Sequence, residues 1–204
     1  MRTVLTVAMV TLLVVFLYQP AHHTPARFID TLEAEHRGNA RMWGEERADR
    51  ILERMGHLRA QVDSYPFPGK GKAEPKGKER STPVNVGDVL ARLANNDYVQ
   101  AMEWMFSLVL YRLSSLWEIT PLFVPFIFLA LLDGLIERTV RSHEFRSHNP
   151  TIYGVFKGSA VVLLAALPTV FTLPYPFHPL LLAGVPIALA FCGWRIAAHF
   201  HQTV

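Results

Sequence analysis

The stretch "LALLDGLIERTVRSHEFRSHNP", Leu129 to Pro150, decides how this chain is organised. It descends as an apolar run into Asp133, and within a dozen residues it has become a dense mixture of acids, arginines and histidines. Such a change marks either a cluster built for chemistry or the place where a membrane helix meets water. The residues upstream favour water. "WEITPLFVPFIFLALLDGLI", Trp117 to Ile136, has an uncharged part, Ile119 to Leu132, that is short of the roughly 20 residues a helix needs to cross a hydrocarbon core. It becomes long enough when Glu118 and Asp133 stand at opposite headgroup regions. A re-entrant or in-plane segment is the competing expectation.

The rest of the chain points the same way. Half of its 204 residues are hydrophobic, and they are clustered rather than periodic, which puts it outside the usual range of soluble domains. No charge falls between Arg2 and His22, a length that suits one crossing. The apolar core there is longer than that of a usual signal peptide and "LYQPAHH" has no small-x-small cleavage site, so an uncleaved anchor over residues 1–20 is expected. No Asp, Glu, Lys or Arg falls between Lys157 and Arg195. That run is too long for one crossing, and "LPYPFHP", Leu173 to Pro179, puts three prolines in its middle. Proline ends helices, so two spans are predicted, roughly Tyr153 to Thr172 and His178 to Ala197. Cys192 stands alone and allows no internal disulfide.

Charge suggests an orientation, since cytoplasmic flanks of spans carry excess Lys and Arg. The long loop from Ala21 to Trp117 is balanced: fourteen basic residues face fourteen acids once Glu118 is counted. The net charge of +3 belongs to Arg2, Arg138, Arg141, Arg146, Lys157 and Arg195, opposed by Asp133, Glu137 and Glu144. With four spans all six basic residues share one side, which is then cytoplasmic, with both termini inside and residues 21–116 periplasmic.

In that loop, residues 21–65 place Ile51, Leu52, Met55, Leu58 and Val62 at helical spacing, with pairs such as Glu46 and Arg50 on the other face. One or two amphipathic helices are expected, broken near Gly38. Residues 66–84, rich in Pro, Gly and Lys, have little to bury and are expected to be a flexible linker. Residues 85–116 are helical in pattern again and suit an amphipathic helix at the membrane surface. Arg112 argues against a crossing there. Residues 117–204 form the membrane region, with a basic loop over 137–152.

As chemistry the opening stretch offers little. Asp133 and Glu137, and then Glu137 and Arg141, are four apart, which suits a helix continuing about two turns into water. "DGLIER" is similar to the start of the Asp-Gly-x-x-Ala-Arg motif of CDP-alcohol phosphotransferases. Glu137 stands where that motif has Ala, however, and no aspartate follows Asp133 to complete a metal site. The histidines lack the i, i+4 spacing of paired ligands on one helix, and there is no phosphate-binding glycine loop or nucleophile elbow. No cofactor, metal or catalytic residue is expected, and nothing requires an enzyme. A small membrane enzyme or transporter acting through Asp133 and Glu137 is the alternative.

"PLFVPFIFLALLDGLIERTVRSHEFRSHNPTIYG", Pro121 to Gly154, resembles a family of inner-membrane proteins encoded by conjugative plasmids and integrative conjugative elements. The matching features are the proline-bearing span, its exit at Asp133, Gly134, Glu137 and Arg138, and the polar segment leading through His148 and Pro150 to Tyr153. The resemblance implies a part in conjugative DNA transfer, beside the coupling ATPase and other membrane components of type IV secretion. That partner would supply ATP hydrolysis, and no direct nucleic-acid binding is implied.

The expectation is therefore an all-α integral membrane protein of the inner membrane, with four transmembrane helices and a helical periplasmic segment. It would act as a non-enzymatic accessory or scaffold of the transfer apparatus. Asp133, Glu137, Arg138, Arg141, Arg146 and Lys157 are its candidate contacts with a partner or with anionic lipid. Gly184, Ala188 and Ala190 on the last span are candidates for close helix packing. A homo-oligomer is compatible with the sequence.

Overall fold

The computed structural model describes residues 2–64, 97–143 and 150–200. Among them all regular structure is α-helical. The segments 66–84 and 85–96, and Arg146 within the basic loop, lie outside the described residues.

Helix α1, Arg2–His22, carries the first apolar run through Pro20. The chain then bends by 107° into α2, Pro25–Trp43. Pro25 suits that start, because the first residue of a helix has no intrahelical use for its N–H. The buried residues of α2, Phe28, Thr31, Glu35 and Asn39, recur at three- and four-residue steps and form one stripe. Two of the four, Glu35 and Asn39, carry strongly polar side chains.

α2 ends at Gly44, whose φ of 90° lies where a side chain is strained and whose N–H donates to the Ala40 carbonyl at 3.0 Å. This corrects the expected break near Gly38. Gly38 lies within α2, and a Cβ there would sit 3.6 Å from ring carbons of Pro179. A glycine inside a helix is tolerated, whereas a positive φ calls for one. Gly44→Ala should therefore lower stability by about 1 kcal/mol or more, read as a lower thermal midpoint by circular dichroism in detergent. An unchanged midpoint would show that the bend tolerates a side chain.

α3, Glu45–Ser64, opens with Glu45 and Glu46 beside the positive end of its dipole and buries Ala48 and Ile51. Both α2 and α3 lie on α4, Asp97–His143, a helix of 47 residues. At 1.5 Å per residue it is about 70 Å long, more than twice the thickness of a hydrocarbon core. Residues 97–116 and 117–136, kept apart in the sequence expectation, are consecutive parts of this helix, which continues through Pro121 and Pro125. Glu118, which looks like a boundary in the sequence, is joined by Arg54 at 2.9 Å and Arg50 at 3.0 Å from α3.

The first part of α4 packs Ala101, Met105 and Leu108 against Phe28 of α2, with Phe16 of α1 alongside. Its later part lies against α5, Pro150–Phe171, and above all α6, Pro179–His199. There Ile119, Phe171, Leu182 and Ala183 form a second core. The proline-rich turn joins α5 to α6, and the His178 ring accepts the Leu180 N–H at the start of α6.

α4, α5 and α6 are each long and apolar enough to cross a membrane. A fourth span is reached only if α1 is counted with α2 across their bend. The expected four is thus an upper count.

Candidate partner-contact site at the basic end of the bundle

The far ends of α4 and α6 and the start of α5 come together, and with them most of the candidate contact residues. Glu137 pairs with Arg141 one turn later, and an Arg141 guanidinium nitrogen lies 3.1 Å from the buried His199 ring at the end of α6. Arg138 points elsewhere, with its guanidinium carbon 5.3 Å from the centre of the Phe200 ring. Phe200 meets Tyr153 edge-on at 6.1 Å, and Lys157 lies 5.7 Å from the Tyr153 ring. Arg138 and Lys157 are thus linked through two aromatic rings, each contact contributing about 0.5–1 kcal/mol where exposed. Aromatic rings hold these cations without neutralising them. The arrangement can therefore still attract an anionic headgroup or an acidic protein surface.

Asp133 stands apart from this cluster. It is exposed, makes no ion pair among the described residues, and borders a groove between α4 and α6. Among the described residues no group of three His, Cys, Asp or Glu could hold a metal ion.

Gly134 explains why α4 and α6 can lie so close. A Cβ there would fall 2.6 Å from the Trp194 carbonyl oxygen and 3.0 Å from the Ala197 Cβ. The glycine of "DGLIER" is thus a contact point between helices rather than a turn.

A second polar site, unforeseen in the sequence, lies at the opposite end. Arg112 is fully buried and Glu35 is 3% exposed. Their ion pair is short, with Arg112 Nη2 donating to Glu35 Oε1 at 2.6 Å and Nε donating to the same oxygen at 3.0 Å. The guanidinium also donates to the Phe171 and Leu173 carbonyls at 2.8 Å, to Tyr175 at 2.7 Å and to Val170 at 3.3 Å. The Phe171 carbonyl is one that the end of α5 leaves without a helical donor, and Leu173 and Tyr175 lie in the turn just beyond, at the negative end of that helix's dipole. The Phe177 N–H donates to Glu35 Oε1 at 2.9 Å, and the Phe177 ring lies 4.1 Å from the guanidinium carbon. One arginine on α4 therefore fastens the α5–α6 turn to α2.

One turn along α2, Asn39 donates to the Tyr111 hydroxyl at 3.1 Å and to Ser115 at 3.3 Å. Burial pushes the Tyr111 phenol up to about 12, against the hydrogen bond from Asn39 and with help from the Glu35 charge. The phenol is therefore neutral at any ordinary pH and serves as a fixed hydrogen-bonding group. The sequence signal for this site was a lone arginine in "SLVLYRLSSLW", which does not reveal that its carboxylate comes from 77 residues upstream.

Residues 57–201 match the family model described as IncC plasmid conjugative DNA transfer protein DtrJ-like. The chain belongs to the DtrJ-like family. The match takes in α4, α5 and α6 whole, including Arg112, Gly134 and the basic cluster, and begins within α3. Glu35 and Asn39, which close the polar site from α2, precede the matched region. Among curated proteins and solved structures no match was found. The family supports the expected link to conjugative plasmids and gives the protein a part in conjugative DNA transfer.

Proposed function

We propose that this DtrJ-like protein is a non-enzymatic inner-membrane scaffold of the conjugative transfer apparatus, associated with its coupling ATPase. The observation that carries the proposal is the basic cluster at one end of α4–α6, within the region matched by the conjugative transfer family. From Trp117 to Arg138 helix α4 rises about 31 Å, close to one hydrocarbon core. Trp117 and Tyr175 are exposed towards the other end, where amphipathic rings suit a headgroup layer. By the positive-inside tendency, the end with Arg138, Arg141 and Lys157 is cytoplasmic, facing the side where an ATPase body lies. The bundle of α2, α3 and the first part of α4 is then periplasmic. In this role the protein holds partners in place, and ATP hydrolysis is the partner's.

The test is capture of the tagged full-length chain in mild detergent from cells carrying the conjugative element, followed by mass spectrometry. The coupling ATPase should be recovered with the wild-type chain. Arg138→Ala, at equal expression, should reduce recovery about fivefold, as the loss of roughly 1 kcal/mol would. Arg138 is the appropriate probe because its described contact is with the Phe200 ring, so its loss leaves the pair of Glu137 and Arg141 intact. Absence of the ATPase from the wild-type sample would overturn the association.

A further inference from the structure

The groove between α4 and α6 is bordered by Phe126, Ala130, Asp133, Gly184, Ala188 and Trp194 and has a volume of about 580 Å³. Three glycines close to the packing of these helices differ in what surrounds them. Gly134 is pressed against Trp194, and Gly193 lies where a Cβ would come 3.1 Å from Leu131. Gly184 has nothing within 4 Å of its Cβ position. Packing within the chain therefore accounts for the first two and not for Gly184, which with Ala188 one turn later leaves a shallow strip. Ile187 and Phe191 form the raised side of the same groove on that helix, both exposed, with the Phe191 ring resting on Phe156 of α5 at 5.6 Å.

Small residues and an apolar groove alone would suit lipid tails. The charges at the groove's end do not. Asp133 is exposed there without an ion pair among the described residues. Arg195 stacks on Trp194, with its guanidinium carbon 4.3 Å from a ring centre, and its Nε is buried with no hydrogen-bond partner among the described residues. An acid that lines the groove and a base stacked on one of the groove's rings thus stand near its end without a described ion pair between them. Charged groups at the edge of a membrane helix usually find a partner or water.

We infer that this groove is the contact surface for a second copy of the chain, joined by a two-fold axis so that Asp133 of each copy pairs with Arg195 of the other. A two-fold interface sets a surface against itself. A surface carrying one acid and one base is then met by one base and one acid, and both pairs form at once. A foreign helix would have to bring an acid and a base at matching spacing. The same symmetry lets the Ile187 and Phe191 ridge of one copy lie over the Gly184 and Ala188 strip of the other, ridge into groove. The inference rests on α4 and α6 lying in a membrane and is independent of the ATPase association, which has its own capture test.

The experiment co-expresses the full chain under two different tags and measures capture of one by the other in mild detergent. Wild-type chains should capture each other. Asp133→Arg paired only with itself sets arginines against arginines, and Arg195→Asp paired only with itself sets aspartates against aspartates, so each should lose self-capture at least tenfold. Co-expressed with one another, these two variants should recover capture, because both opposite-charge pairs re-form across the axis. An ion pair made within one chain could not give that rescue. No self-capture by wild type, undiminished self-capture by the single variants, or no rescue between stable variants would each overturn the inference. If a charge reversal lowers abundance, Gly184→Cys and Ala188→Cys in a Cys192→Ala background leave the charges unchanged. A bis-maleimide added to membranes should then give a dimer-sized product, and a monomer alone would overturn the inference.

Discussion

Arg112→Ala is expected to lower the unfolding free energy of the detergent-solubilised protein by roughly 3–5 kcal/mol. The cost arises from what is left behind. Glu35 would remain buried with the Phe177 N–H as its remaining described donor, and an unpaired buried carboxylate is costly. The carbonyls of Phe171, Leu173 and Tyr175 would lose a charged donor at the same time. Arg112→Lys should recover only part of the loss, because an ammonium keeps the charge but lacks the planar fork that reaches Glu35 and the turn together. The double change Glu35→Met with Arg112→Met should fall between Arg112→Ala and wild type. It removes the buried carboxylate, but the turn carbonyls still lack their donor. The measurement is the unfolding midpoint and its denaturant slope in dodecyl maltoside for all four proteins. A double variant as stable as wild type would show that the ion pair and the bonds to the turn are both dispensable. An Arg112→Ala protein within 1 kcal/mol of wild type would remove the site from any structural role.

The contrast between this site and the apolar helices shows what the sequence could disclose. The expected spans over Tyr153–Thr172 and His178–Ala197 correspond closely to α5 and α6 because an uncharged length and three prolines are local properties, readable without knowing any contact. Arg112 is different. Its environment is assembled from α2, α4 and the α5–α6 turn, so in the sequence it is only a charge in an apolar stretch that argues against a crossing, with no sign of its partners. Glu118 marks a membrane edge in the sequence but no break in the helix: its ion pairs with Arg50 and Arg54 come from α3, and α4 runs unbroken past it. Gly38 and Gly44 show the limit at the scale of one residue. Both are glycines in a polar helical stretch, and only the backbone torsion tells which makes the bend. At the basic end, the pairing of Glu137 with Arg141 followed from their spacing, whereas the bridge from Arg138 through Phe200 and Tyr153 to Lys157 needed three chain segments to meet.

Gly134→Ala should destabilise the protein by about 1–3 kcal/mol, although alanine is the better helix former. On an unhindered helix the same change gains roughly 1 kcal/mol, so its sign reports the packing of α4 on α6. The neighbour of the added methyl is decisive. At 2.6 Å the first atom it meets is the Trp194 carbonyl oxygen, part of a helix backbone that cannot move aside alone. The Ala197 Cβ at 3.0 Å blocks a sideways escape. The two helices must therefore separate, and the contact between Arg141 and His199 just beyond should weaken with them. Gly158→Ala on α5 is the matched control, since nothing lies within 4 Å of its Cβ position, and it should be neutral or stabilising. Opposite shifts of the two unfolding midpoints in the same detergent would establish that α4 and α6 touch at Gly134. Equal gains in stability would mean that they do not approach there. The glycine of "DGLIER" would then lose its role as the point where the polar exit of α4 is held against α6.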